Sequence, residues 1–412
     1  MMADDFDAPT TGPLRWLPQL ARARDSQPQE QVLAADDIDA PRSPTQPLVQ
    51  SQDAQPQEQA RTSDDIDGGD LEPPSARGPA CEHGAERDVA AESMTAPPVR
   101  WLRVRHETRY RYDSDVEGAL HLAHLRPRDT ATQQVRVWSL VVSPHPDAGV
   151  DLASGIRETV DPWGNARQIF AHSQVHDQLD VVSAFEAGVG AQALPPPGTS
   201  RPWREVARDL RLHAGASVHA AGATAEQRQW EHAVFEAAEF ALDSELAPRA
   251  KALADWARPA AQANTGIVEL ALALMHQVHA EFEYLPQSTS VTTGALEALA
   301  LRHGVCQDFA HVLIGACRSL GLAARYVSGY LLTQPPPGKP RLVGADASHA
   351  WAAVWCPPHG WLALDPTNDV FVGQDHVTLA WGRDYADVAP LRGVIRGGSG
   401  NAPSVAVTVE PL

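Results

Sequence analysis

Cysteine is scarce in this chain of 412 residues: Cys81, Cys306, Cys317 and Cys356 are the full set, and no two form a C-x-x-C pair. That spacing excludes a disulfide framework and points to free thiols in a reducing, cytoplasmic setting. No stretch approaches the roughly 18 consecutive apolar residues of a membrane helix. The acidic start, Met1-Met-Ala-Asp-Asp-Phe-Asp-Ala, lacks the basic and apolar regions of a secretory signal. Positive charge is also short, with 33 Lys and Arg against 52 Asp and Glu. Neither a nucleic-acid-binding face nor membrane association is therefore expected.

The acidity is concentrated at one end. Residues 1–95 hold 13 Asp and 6 Glu against 7 Arg and no Lys, so 19 − 7 = 12 of the 19 net negative charges lie there. The same stretch is rich in Gln, Pro and Ser and poor in aromatics, a composition that cannot bury enough apolar surface to offset the ordering of its backbone. We read it as a disordered acidic tail. Gln-Pro-Gln-Glu-Gln at 27–31 returns at 55–59, and Asp-Asp-Ile-Asp at 36–39 returns at 64–67. Two copies without an apolar face are too few for a solenoid.

Order is expected from about residue 100. Leu102, Val104, His106, Thr108, Tyr110 and Tyr112 alternate with charged residues, the period of a half-buried strand. With β-rich runs at 135–142 and 178–184 and turn chemistry in Asp161-Pro-Trp-Gly-Asn165, residues 100–190 read as a β-rich domain. Its Arg103, Arg105, Arg109 and Arg111 face needs acidic or solvent partners. A stiff Leu194-Pro-Pro-Pro-Gly198 segment follows. Helical periodicity then appears at 230–242, at 267–282 behind an Asn264-Thr265 cap signal, and at 305–320 before Gly321. Strands are expected at 325–332, 349–355 and 361–365. Helices first and antiparallel strands afterwards make an α+β catalytic domain over 204–395, with 396–412 left as a C-terminal tail.

The chemistry concentrates in Gly304-Val-Cys306-Gln-Asp-Phe-Ala-His311. Cys306 falls in the first turn of its helix, where unpaired backbone N–H groups and the helix dipole favour a thiolate. Such a nucleophile needs a base. The best candidate is in Ser348-His349-Ala-Trp351-Ala-Ala-Val-Trp355, whose alternation sets His349 among aromatic side chains. If Cys356-Pro-Pro-His-Gly360 closes a hairpin with Trp355 opposite Trp361, Asp365 faces Trp351 and is diagonal to His349. Diagonal neighbours are roughly 7–8 Å apart, within carboxylate reach of an imidazole. A slip of one residue would turn Asp365 to the other face. Asn368 and Asp369 are the next candidates. A zinc site is disfavoured, because His303, Cys306, His311, Cys317, His349 and Cys356 lack paired spacing.

These motifs, with Arg325-Tyr-Val-Ser-Gly-Tyr330 and Trp361-Leu-Ala-Leu-Asp-Pro-Thr-Asn368, resemble the core of the bacterial transglutaminase-like superfamily. Residues 103–129, with Leu125-Arg-Pro-Arg128, resemble the β-rich domain that precedes that core in one bacterial subgroup. The resemblance implies a papain-like α+β core with Cys306 as nucleophile, His349 as base and Asp365 orienting it, and with no metal or cofactor. Two positions depart from the pattern: Ala323, usually Pro, and Ala353, often acidic. Effects on packing or the substrate rim are expected there.

The expected chemistry is thiol-dependent acyl transfer on a peptide or protein amide. Hydrolysis is the first choice, amine transfer the second, and a catalytically silent interaction module the reading from another class. The Cys306 N–H is a candidate oxyanion donor. Tyr284 and Gln287 are guesses for a second donor, and Asp308 for steering an amine.

Overall fold

The structure is a computed structural model that describes residues 31–34, 99–148, 154–213, 224–333, 348–399 and 403–412. The repeated segments at 27–31, except for Gln31, at 55–59, at 36–39 and at 64–67, almost all of the acidic tail, and Cys81 lie outside the described residues. Within the tail's span, strand β1 (Gln31–Ala34) pairs with a strand near the other end of the chain.

Strand β2 (Val99–Ala123) organises the N-terminal sheet. Its alternation is realised: Leu102, Val104, His106, Thr108, Tyr110 and Tyr112 are all buried. The arginine face has partners within its own sheet, Arg103 with Glu186 at 2.9 Å and Arg111 with Asp180 at 2.8 Å, while Arg105 and Arg109 share Glu107. β3 (Gln133–Ser143) pairs with β6 (His176–Gly190), and β4 (Arg157–Val160) with β5 (Ala166–His172). The first half of β2 pairs with β6 and its second half with β5, with a register break between Arg111 and Val116 that lets one strand serve both groups. The Asp161–Asn165 turn forms as expected, Asp161 Oδ1 accepting the N–H groups of Trp163 at 2.9 Å and Asn165 at 2.8 Å.

Two boundaries need correction. Residues 404–411 are not a tail but strand β15 (Ser404–Pro411), in register with β2 from Arg109 to Leu102. Buried Val407 and Val409 join Leu102, Val104 and Phe185. β14 (Leu391–Gly397) likewise pairs with β2 and belongs to this sheet rather than to the catalytic domain. The physical reason is that strand pairing is satisfied by any compatible edge, however distant in sequence.

The rest is the expected α+β unit. Helices α1 (Trp203–His213), α2 (Ala225–Ala238), α3 (Lys251–Ala257), α4 (Ile267–Glu281) and α5 (Ala295–Leu301) precede α6 (Cys306–Ser319). The two-residue strands β7 (Glu283–Tyr284) and β8 (His303–Gly304) pair in parallel. An antiparallel sheet follows: β9 (Ala324–Leu331), β10 (Ser348–Trp355), β11 (Trp361–Asp365), β12 (Val370–Phe371) and β13 (His376–Gly382), in the order β12-β11-β10-β9-β13, with α7 (Tyr385–Val388) after it. α6 is buried almost throughout, and Phe309, Val312, Leu313 and Ala316 pack with Ala324, Ala350, Ala352 and Val354 of the sheet. Helix α4 is not capped by Asn264 or Thr265. Its N-cap is Gly266, and the Ile267 N–H donates to the Arg201 carbonyl at 2.8 Å, so a tertiary contact replaces the local cap. Among the described residues no helix is long and apolar enough to cross a membrane.

The two sheets are held together by matched amide groups. β13 is an edge strand whose outward N–H and C=O groups need partners. The Gln133 carboxamide exchanges two hydrogen bonds with the Thr378 backbone, at 2.7 and 2.8 Å, and that of Asn165 exchanges two with Trp381, at 2.8 and 3.0 Å. Replacing either with Ala leaves partly buried backbone groups unpaired, and the expected cost is about 1–3 kcal/mol each. Calorimetry of Gln133→Ala and Asn165→Ala checks this; stabilities within 0.5 kcal/mol of wild type, roughly the scatter of neutral surface changes, would refute it.

Candidate active site

A short strand pair and a helix N-terminus position Cys306. The β7–β8 pair delivers the chain to Gly304, extended Val305 is the N-cap, and the first helical bonds run from the Asp308 and Phe309 N–H groups to the Val305 carbonyl at 3.0 and 3.2 Å. The N–H groups of Cys306 and Gln307 precede these bonds, as helix geometry requires. Asp308 folds back so that Oδ2 accepts from the Val305 N–H at 2.8 Å and the Thr289 hydroxyl at 2.6 Å, one half of a capping box. This explains the glycine at 304, since a Cβ there would meet Asp308 Oδ2 at 2.4 Å. Asp308 is fully buried, and burial raises its pKa against the lowering effect of those two donors. It braces the turn that carries Cys306 and, being buried, is not presented to an incoming amine.

The hairpin register is the one the sequence argument needs: Trp355 opposes Trp361, and Ala352 opposes Leu364. Asp365 therefore shares a face with His349, and His349 Nε2 is 2.7 Å from Asp365 Oδ2. Cys306 also acts on the imidazole, through a side-chain hydrogen bond and its charge. With Nε2 committed to the carboxylate, Nδ1 is the nitrogen left for the thiol. Burial by itself lowers the His349 pKa. The hydrogen bonds to Asp365 and Cys306, with their charges, outweigh it and raise the imidazole to about 10. On Asp365, burial acts upward, but the bonds from His349, His376 and Asn368 dominate and hold it far below the usual carboxylate range. Space for the site depends on Gly329, the cross-strand partner of His349, where a Cβ would come within 2.4 Å of the Trp351 ring.

The other described thiols differ in kind. Cys317 and Cys356 are fully buried; burial pushes Cys317 up to about 12 and Cys356 well above its ordinary value. Cys306 is half-buried.

His376 is a site residue that the sequence reading missed. Its Nε2 donates to Asp365 Oδ2 at 3.1 Å and its Nδ1 accepts from the Gly373 N–H at 3.4 Å, which sets its tautomer. Asn368 Nδ2 adds a donor to the same oxygen at 2.7 Å, while Oδ1 accepts the Thr367 and Asn368 N–H groups at 3.0 and 3.2 Å. Asp369 pairs with His276, away from the imidazole. The only sequence signal for His376 was a histidine opening a strand eleven residues after Asp365. His349, Asp365 and His376 offer ligand atoms within 4.8 Å of one another. The 2.7 Å contact is a hydrogen bond, whereas two nitrogen or oxygen ligands on a tetrahedral zinc, each at about 2.0–2.1 Å, would be roughly 3.3 Å apart.

For a second oxyanion donor, Tyr284 lies beside Gly304 in the β7–β8 pair. Although 51% of the residue is exposed, its phenol is pushed up to about 12 by desolvation and by the nearby Cys306 charge. Gln287 is exposed in the following loop.

Known proteins resemble this chain in sequence and in fold. Residues 253–366 match the family described as the transglutaminase-like superfamily, and residues 102–187 match the bacterial transglutaminase-like N-terminal region. An uncharacterized protein of Mycobacterium tuberculosis is 38% identical over 338 residues, covering 79% of this chain and 98% of its own length. A protein-glutamine gamma-glutamyltransferase of Pseudomonas aeruginosa is 34% identical over 127 residues, 30% of this chain and 19% of that protein. A crystal structure from Cytophaga hutchinsonii, provisionally described as a cysteine protease, superposes with a TM-score of 0.56 at 18% identity, covering 76% of this chain and 91% of that one. At that identity the likeness is one of fold.

Proposed function

Because this chain belongs to the transglutaminase-like superfamily, we propose that it is an enzyme of thiol-dependent acyl transfer, with Cys306 as nucleophile, His349 as acid and base, and Asp365 holding the imidazole. The observation that carries this reading is that the His349 imidazole is engaged by both buried Asp365, 2.7 Å from its Nε2, and Cys306. The sulfur attacks an amide carbonyl carbon; the C–S bond forms, the C–N bond breaks, and His349 passes its proton to the departing amine. The Cys306 N–H, free at the helix start, faces the developing oxyanion. Water, activated by His349, then cleaves the thioester and regenerates the thiol. The substrate in this reading is a peptide or protein amide.

Hydrolysis is the preferred outcome, because water competes for any thioester it can reach. Transfer to an amine is the second reading, favoured by the similarity to the Pseudomonas glutamyltransferase. The test is to trap the acyl-enzyme from lysate on Cys306 and weigh the attached group, with a primary amine present in one arm. A hydroxylamine-sensitive adduct found on wild type and lost from Cys306→Ala is expected. Free acid in both arms means hydrolysis, and amine conjugate means transfer. No adduct, or the same adduct on Cys306→Ala, would remove Cys306 from the chemistry.

A further inference from the structure

The catalytic sheet has a second polar feature on the face turned away from α6. A cavity of about 360 Å³ is lined by Arg325, Trp351, Ala353 and Trp361 of this sheet and by residues 130–133, Val189, Gly190 and Gln192 from the edge of the N-terminal sheet. His376, the partner of Asp365, lines it as well. Its size lies within the range of small-ligand sites.

Arg325 is the anomaly. Its guanidinium is stacked between two indoles, 3.7 Å from the Trp381 ring centre and 4.3 Å from that of Trp361. Its Nε is buried without a hydrogen bond, and among the described residues no carboxylate pairs with it. The cross-strand neighbour opposite Arg325 is Ala353, which offers a methyl group where an acid would have neutralised the charge. Arg128 lies on the far face of Trp381, 3.5 Å from its centre, and adds positive charge. The residue is half-buried, and burial together with the Arg128 charge lowers its pKa; with no carboxylate beside it among the described residues, the cation stands here without a counter-ion.

We propose that this cavity binds a small ligand carrying one carboxylate on a flat or apolar body, with Arg325 as its counter-ion and the tryptophans as its walls. The planar guanidinium fork matches a carboxylate, and the indoles suit a flat body. Among the described residues no Asp or Glu lines this cavity, whereas the one on the other side of Arg325, of about 750 Å³, is lined by Glu236 and Glu239, which repel an anion. A single guanidinium serves a monoanion better than a phosphate dianion. The site does not depend on the reaction assigned to Cys306.

The test is calorimetric titration of the full Cys306→Ala chain, so that no turnover of the probes intervenes. The probes are N-acetylphenylalanine, its primary amide and inorganic phosphate. The acid is expected to bind at least tenfold more tightly than the amide, and phosphate more weakly than the acid. The preference should vanish in Arg325→Met. It should vanish also in Ala353→Glu, which supplies an internal carboxylate beside Arg325 while leaving the tryptophan stack in place, so the test stands even if Arg325→Met misfolds. Equal binding of acid and amide, binding of neither, phosphate binding as tight as the acid, or an unchanged preference in Ala353→Glu would overturn the proposal.

Discussion

Cys306→Ala is expected to abolish turnover, by about 10⁴-fold or more, while changing stability by no more than about 1–2 kcal/mol. The side chain is half-buried at a helix start and acts on His349, so its removal deletes the proposed attacking atom and little packing. Cys317→Ala and Cys356→Ala should behave in the opposite way. Both thiols are fully buried, so activity per folded molecule should persist while stability falls. Thiol labelling near pH 7 gives an independent reading, since burial keeps Cys317 and Cys356 protonated well beyond that pH. Among the described cysteines only Cys306 should be modified, and labelling should stop turnover. A Cys306→Ala protein that retains activity would end the nucleophile assignment.

Asp365→Asn should lower single-turnover acylation by about 10³–10⁴-fold, the effect expected when an imidazole loses the carboxylate that holds its tautomer. The structure adds a second reason. Oδ2 accepts from His349, His376 and Asn368, and Oδ1 from two backbone N–H groups. An amide replaces one of these acceptors with a donor, so at least one buried N–H faces another, at a cost of roughly 1–3 kcal/mol. The pH profile should shift in a defined direction. Acylation uses protonated His349, which is held at about 10, so the wild-type rate should persist through alkaline pH and fall only near 10. Without the carboxylate the limb should move down toward neutrality. The linked stability has the same sign. His349 is raised above its unfolded value of about 6.5, so its contribution is fully present below that pH and is lost as pH rises through about 10. Wild-type rate and an unmoved limb in Asp365→Asn would exclude Asp365 and leave Asn368, 3.4 Å from His349 Nε2, as the remaining candidate; Asp369 is already paired with His276.

What the sequence alone determined was local or nearly so. The alternation along β2, the turn at Asp161–Asn165, the helix beginning at Cys306 and the pairing of Trp355 with Trp361 each follow from a few adjacent residues. The hairpin is short enough that one register sets both catalytic-candidate side chains on one face, which is why His349 and Asp365 could be brought together without a structure. Tertiary structure decided whatever required distant segments to meet. β15 and β14 close the N-terminal sheet from the far end of the chain, the first N–H of α4, that of Ile267, finds the distant Arg201 carbonyl, and His376 reaches Asp365 where the chain after β12 turns back at Gly373. Arg325 read as one residue of a family motif, and its isolation came from a methyl group across the strand and two indoles brought in from β11 and β13. Periodicity records which face of an element is buried. It carries no information about which distant group will complete a hydrogen bond or leave a charge alone, because that depends on how whole elements pack.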